Sequence, residues 1–279
     1  MTRIMTQTFT KAALLAMSLA ITGPLHAETA ALASHLRATE LVEQALAAHG
    51  GLSAMQDAGG FEVRLEGTYD LTTRLQGRSP FSDEPTPIFE RIVFDADTGR
   101  VSYDVDMFNY YSSNQRLREI YDDQRRMVYI DKRNRDAGWV PIQTVPDSRE
   151  RLTRVLPRVL LAEALDRARS LRYVGPDQAD GQTVDVVSFT SSDGDALTVS
   201  LDQQKHLLRS VSAVIDMPLL GLVEVRWRWA DYGEHDAAGV FPRRLQVTLG
   251  NRVLKDVGME ADFGSFSDAF EAPEGTVIG

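Results

Sequence analysis

The chain contains no cysteine. That excludes disulfides, thiolate metal sites and lipid attachment at a cysteine exposed by leader removal. Histidine is scarce: beyond His26 there are His35, His49, His206 and His235. No two have the H-x-H or H-E-x-x-H spacing that brings imidazoles onto one metal. His49 precedes Gly50-Gly51 at a predicted helix end, where the helix dipole accounts for it without catalysis. His235, between Glu234 and Asp236, reads as part of a solvated turn. No serine sits in G-x-S-x-G, because Gly51-Leu52-Ser53 lacks the second glycine, and no phosphate- or dinucleotide-binding glycine pattern occurs. Asp95-Ala96-Asp97-Thr98-Gly99 fails as a calcium loop, with glycine at its fifth position and no glutamate at its twelfth. The expectation is therefore no catalytic residue, no metal and no cofactor.

Long apolar runs are also missing, apart from Ala12 to Ile21. Arg3 and Lys11 flank that run, and Leu25-His26-Ala27 follows as a small-residue cleavage site, so residues 1–27 read as a secretory signal cut after Ala27. The run is too short to span a bilayer comfortably. The expected product is one domain, 28–279, periplasmic or secreted, without a membrane span once the signal is removed. Positive charge is in deficit, with a formal net charge of −10. That argues against nucleic acid and anionic membrane surfaces as partners. Arg125, Arg126, Lys132, Arg133 and Arg135 interleave with Asp122, Asp123, Asp131 and Asp136, which makes a mixed, solvated surface.

What is abundant is alternation. In Val223-Glu224-Val225-Arg226-Trp227-Arg228-Trp229 apolar and charged residues exchange with period two, the mark of a strand with one buried face. A turn-rich segment, Asp231 to Gly239, leads to a second run from Val240 to Leu249, and the two read as a long antiparallel hairpin. Phe61 to Tyr69, Ile88 to Asp95, Val101 to Met107, Leu117 to Tyr121 and Met127 to Asp131 alternate likewise. Trp139 to Gln143 is an edge strand, because Pro141 lacks a ladder donor. Leu171 to Val174, Val184 to Thr190, Leu197 to Leu201, Leu207 to Ile215 and Val253 to Phe263 complete the set, and the tail to Gly279 is loop-like. Helical spacing occurs twice. Thr29 to His49 carries Leu36, Val42, Ala45 and Leu46 on one side and stops at Gly50-Gly51. Ser148 to Ser170 carries Leu152, Val155, Leu156, Val159 and Leu160, with Pro157 kinking the helix or starting a new one. Strands in runs with segregated helices predict an α+β domain, one large curved antiparallel sheet of roughly ten or eleven strands whose concave face the helices cover.

The order of these features resembles the LolA/LppX-like superfamily of exported lipid and lipoprotein carriers. It is most similar to the region that precedes the zinc domain in some exported metallo-β-lactamase-fold hydrolases. The carrying residues are His49-Gly50-Gly51, Gly67, Leu156-Pro157-Arg158, Pro218-Leu219-Leu220-Gly221 before Val223-Glu224-Val225, and Tyr232 leading to Gly239-Val240-Phe241-Pro242. The resemblance implies a half-open β-barrel with helices in its mouth, used to hold acyl chains or another greasy ligand. The hydrolases' H-x-H-x-D-H run is absent, so zinc hydrolysis does not carry over.

The expected function is a non-enzymatic periplasmic carrier for a lipid, lipoprotein or other hydrophobic ligand. Phe94, Tyr103, Val225, Trp227 and Trp229 are the expected lining, and Leu219 and Leu220 lie in an apolar loop suited to gating it. Two alternatives stand beside it. One is an interaction module partnering an envelope complex or a separate hydrolase through an edge strand. The other is a hydrolase-like enzyme using His49 or His235 with nearby carboxylates.

Overall fold

Phe61, Val63 and Leu65 are buried while Arg64, Glu66 and Thr68 are exposed, so β1 (Gly60–Tyr69) turns one face to the interior. The computed structural model describes residues 29–51, 53, 57, 59–70, 85–107, 115–121, 125–130, 138–141, 155–217, 221–235 and 239–271. The predicted signal, residues 148–154 of the second helical region, and Leu219 and Leu220 lie outside the described residues.

From β1 the chain meanders outward through β2 (Thr86–Asp95), β3 (Val101–Met107), β4 (Gln115–Tyr121), β5 (Arg125–Ile130) and β6 (Gly138–Pro141). After α2 (Pro157–Asp166) it resumes at β7 (Arg172–Ala179). It then works inward through β8 (Gln182–Thr190), β9 (Ala196–Asp202), β10 (Leu208–Met217) and β11 (Gly221–Ala230) to β14 (Arg244–Leu249) and β15 (Arg252–Phe263). All neighbouring pairs are antiparallel, and β15 joins the two meanders by pairing with β1. The result is one thirteen-stranded sheet with β6 and β7 at its two edges. The class is α+β, as expected, with more strands than expected, and the sheet does not close. Pro141 stands in β6 at one edge, where its missing N–H is tolerated. β6 and β7 lie at opposite edges of the sheet, and α2 falls between them in the chain.

A first helix, α1 (29–48), precedes β1. It buries Ala38, Leu41, Val42 and Ala45. Leu36, expected on that side, is 59% exposed, and Leu41 takes its place. Gly50 and Gly51 both have positive φ, and their N–H groups bond back to Ala47 and Leu46, closing the helix as glycine does best. Pro157 occupies the first turn of α2, where its fixed φ starts a helix instead of kinking one. Along β1 a Cβ on Gly67 would lie 2.2 Å from the Asp256 carbonyl oxygen and 2.8 Å from the Val257 Cα. The close approach of β15 therefore requires glycine there.

The expected long strand from Val240 to Leu249 is broken. Two short strands instead form a small separate sheet, β12 (Gly233–His235) against β13 (Gly239–Phe241), and of the expected second run only β14 pairs with β11, whose other edge pairs with β10. Pro242, at the break, has no N–H to offer a continuous ladder. The loop-like tail also contains structure. A short 3₁₀ turn, Ser267–Phe270, buries Ala269 and Phe270 against Val93 and Ile120, making a minor core on the outer face of the sheet.

Candidate functional site

Register assigns the expected lining residues to one face. Phe61 pairs with Phe94, Ile92 with Tyr103, Trp227 with Val247 and Val225 with Leu249, and the main-core residues of these strands share that parity. Phe94 stacks on Phe61 with ring centroids 5.2 Å apart. Val225 is buried and Trp227 half-buried. Trp229 is 2% exposed, and its indole N–H donates to the Val155 carbonyl at 2.8 Å, just before α2. Phe94 and Tyr103 sit on β2 and β3, whereas Val225, Trp227 and Trp229 sit on β11, so β1, β15 and β14 separate the two groups.

The helices cover this inner face unevenly. Near its start α1 bonds to the β7 end of the sheet: the Ser34 hydroxyl donates to the Tyr173 carbonyl at 3.0 Å, and Arg37 lies 3.6 Å from Asp185. Farther along α2, Glu163 accepts from the Ser192 N–H and hydroxyl in the β8–β9 turn. Both helices thus grip the β7–β11 half. Around them Tyr103, Leu117, Ile215, Val223 and Trp227 remain only half-buried on the inner face.

The β1–β3 part of the face is less apolar than the alternation suggests. Glu90 has the inward parity of Ile88 and Ile92 and is 4% exposed. Lys255, inward on β15, reaches it with Nζ at 2.8 and 2.6 Å from the two carboxylate oxygens. Tyr103 donates its hydroxyl to the same carboxylate at 2.7 Å. On β1 between them, Gly67 has no side chain to obstruct the lysine. On β4 Tyr121 likewise donates its hydroxyl to Glu119, buried two residues earlier on the same strand. The usable signal in the sequence is a glutamate at an inward position between two isoleucines.

At the end of the sheet where α1 stops, His49 is 1% exposed. Its Nε2 accepts the Leu208 N–H at 3.1 Å, which leaves the proton on Nδ1, facing the Val240 carbonyl at 3.4 Å. Its ring lies 5.4 Å from that of Tyr232, whose hydroxyl donates to the Leu208 carbonyl. Burial, with Arg158 adding repulsion, lowers the His49 pKa from 6.5 to about 4. The dipole explanation, which needs a cation, is thereby corrected: a neutral imidazole staples α1 to β10 and β13. The folded pKa is depressed, so the stabilisation is complete above pH 6.5 and is lost as pH falls from 6.5 towards about 4. Between about pH 7.5 and pH 5 the loss is expected to be about 2 kcal/mol. Urea unfolding of wild type and His49→Gln across that range checks it; an unchanged slope in the variant would remove the histidine as the cause.

The Arg158 side chain packs beside His49 and is 6% exposed. Its Nε donates to the His49 carbonyl, while Nη1 and Nη2 are buried without a partner. It lines a small pocket with Phe61, Leu156, Pro157, Phe241, Pro242 and Phe263, of about 10 Å³.

A larger polar groove, about 790 Å³, lies along the outer face of β1 and β15 beside the small sheet, lined by Arg64, Glu66, Phe89, Glu234, His235 and Arg243 among others. His235 is in β12, not in a solvated turn. Its Nε2–H donates to the Ala261 carbonyl at 3.0 Å, and its ring packs 5.1 Å from Phe263. Among the described residues neither His49 nor His235 has a carboxylate bonded to its ring, and no group of acids and histidines is arranged to hold a metal ion. No described helix is long and apolar enough to cross a membrane.

No family model and no curated protein matches the chain. Among solved structures it is similar to a domain described as an outer membrane lipoprotein-sorting protein from Vibrio parahaemolyticus. There identity is 10%, coverage 85% of this chain and 97% of that one, and the TM-score 0.49. It is similar to a LolA superfamily protein from Nitrosomonas europaea at 8% identity, covering 79% and 96% of the two chains with a TM-score of 0.45. It is similar as well to a DUF1329 family protein from Desulfovibrio piger at 10% identity, covering 85% and 97% with a TM-score of 0.46.

Proposed function

We propose that this protein is an exported, non-catalytic carrier that holds a lipid, the acyl chains of a lipoprotein or another hydrophobic molecule against the inner face of its sheet. One observation carries the reading: Tyr103, Leu117, Ile215, Val223 and Trp227 are apolar inward residues only half covered. Each 100 Å² of such surface that a ligand shields contributes roughly 2.5 kcal/mol towards binding. The N-terminal segment supports export, with residues 1–27 as leader and 28–279 as one periplasmic domain. Lipid, lipoprotein or an envelope protein would be the partner.

Native mass spectrometry of protein purified from its own host is expected to show co-purified lipid. Delipidated protein is expected to bind a fluorescent fatty acid with quenching of tryptophan emission. Lipid-free protein that also fails to take up the probe would overturn the reading.

A further inference from the structure

The least satisfied charge in the described structure is Arg158. It lies in the first turn of α2, where no side chain caps the helix and no acidic residue occurs. Its guanidinium is buried, yet only Nε has an acceptor, a backbone carbonyl; Nη1 and Nη2 have none. Among the described residues no carboxylate forms an ion pair with it, and burial holds it below its ordinary pKa with nothing raising it. The His49 ring offers Nη1 and Nη2 no acceptor, since both its nitrogens are occupied by Val240 and Leu208. The Phe263 ring has its centroid 6.0 Å from Cζ. A buried arginine in protein is normally paired, because desolvation of an isolated charge is severe. The two free nitrogens form the fork that binds a carboxylate or phosphate through parallel hydrogen bonds.

The position of this fork gives its use. The pocket wall includes Phe61, which stacks on Phe94 of the inner face. A chain that reaches Phe94 and Phe61 on that face therefore ends beside the pocket that Arg158 lines. The pocket itself has space for about one water. A headgroup therefore enters only as the first turn of α2 separates from β13, whose Val240 and Phe241 line the pocket.

We propose that Arg158 is the anion-binding end of the ligand site, pairing through Nη1 and Nη2 with the carboxylate or phosphate headgroup of a bound amphiphile. This rests on the carrier reading above and narrows it from hydrophobic ligands in general to acidic amphiphiles. The helix N-terminus adds the positive end of its dipole to the same anion.

The test compares palmitate, hexadecyl phosphate and hexadecanol, which share a chain and differ in the head, as displacers of a neutral fluorescent lipid from the delipidated full-length protein. The two acids are expected to bind roughly 10- to 100-fold more tightly than the alcohol, the range of one charge-assisted contact. In Arg158→Met the three are expected to bind alike, at the wild-type affinity for the alcohol, and Arg158→Lys to recover part of the preference. Inorganic phosphate and acetate form a separate arm. Arg158-dependent binding of inorganic phosphate alone would support the anion site while making a free anion its occupant. Equal binding of acids and alcohol by the wild type overturns the assignment of Arg158 and leaves the carrier reading standing. Failure of all three to bind ends both. The wild-type comparison decides even if the methionine variant does not fold.

Discussion

Lys255→Met is expected to lower the unfolding free energy by about 3–5 kcal/mol, the usual effect of removing one partner from a buried ion pair. Glu90 is 4% exposed, and Lys255 meets both of its oxygens within 2.8 Å. Without the ammonium, the carboxylate stays in the sheet's interior with the Tyr103 hydroxyl as its remaining donor at 2.7 Å. One neutral hydrogen bond does not replace the lost solvation of an anion. The cost thus reflects the stranded acid and not the worth of the pair. Hence the double variant Glu90→Leu/Lys255→Met is expected to recover most of the loss, ending within about 1 kcal/mol of wild type or above it. Urea unfolding at neutral pH reads both. A single variant that loses under about 1 kcal/mol would show that water reaches Glu90 and that this part of the face is wetter than the packing indicates. The pair also bears on binding, because a fixed polar group there confines an apolar chain to the remainder of the face.

Period-two alternation makes the faces of the sheet legible in the amino-acid sequence. The neighbours of Phe94, Tyr103, Val225, Trp227 and Trp229 place them on strands, and all five point inward. Alternation does not say which strand lies beside which, so the pairing of β1 with β15, and with it the meeting of Glu90 and Lys255, is out of its reach. Charge at an inward position looks the same in a sequence whether it is paired, solvated or stranded. Glu90 and Lys255 escape notice for that reason, and Arg158 enters only as part of Leu156-Pro157-Arg158. His49 shows in sequence only its local setting, a helix end before two glycines. Its real partners, Leu208 and Val240, lie far along the chain. Pro242 is visible but falls within an alternating run; its lack of a donor fits a strand that stops there. Aromatic residues present the remaining ambiguity, because a tryptophan that fills a core and one that lines a cavity follow the same periodicity.

Trp227 and Trp229 separate those two roles. Trp229 is 2% exposed, packs within the main core and donates its indole N–H to the Val155 carbonyl. Trp229→Ala is expected to cost about 3–5 kcal/mol, from lost transfer energy and the cavity left behind. The change also frees the point at which α2 is tied to β11, so faster hydrogen exchange is expected along α2 before global unfolding. Trp229→Phe keeps most of the volume and leaves the Val155 carbonyl without its donor, for a cost of about 1–2 kcal/mol. Trp227, two residues earlier on the same face, is half-buried and contributes to that core from its margin. Trp227→Ala is therefore expected to cost less than half as much stability but to weaken binding of a fluorescent fatty acid, whereas Trp229→Phe leaves binding near wild type. If Trp229→Ala proves nearly as stable as wild type and alters affinity instead, the indole lines a ligand space and the core under α2 is hollow. A large stability loss with unchanged affinity for Trp227→Ala would remove Trp227 from the binding surface and confine any apolar ligand to the other half-covered residues.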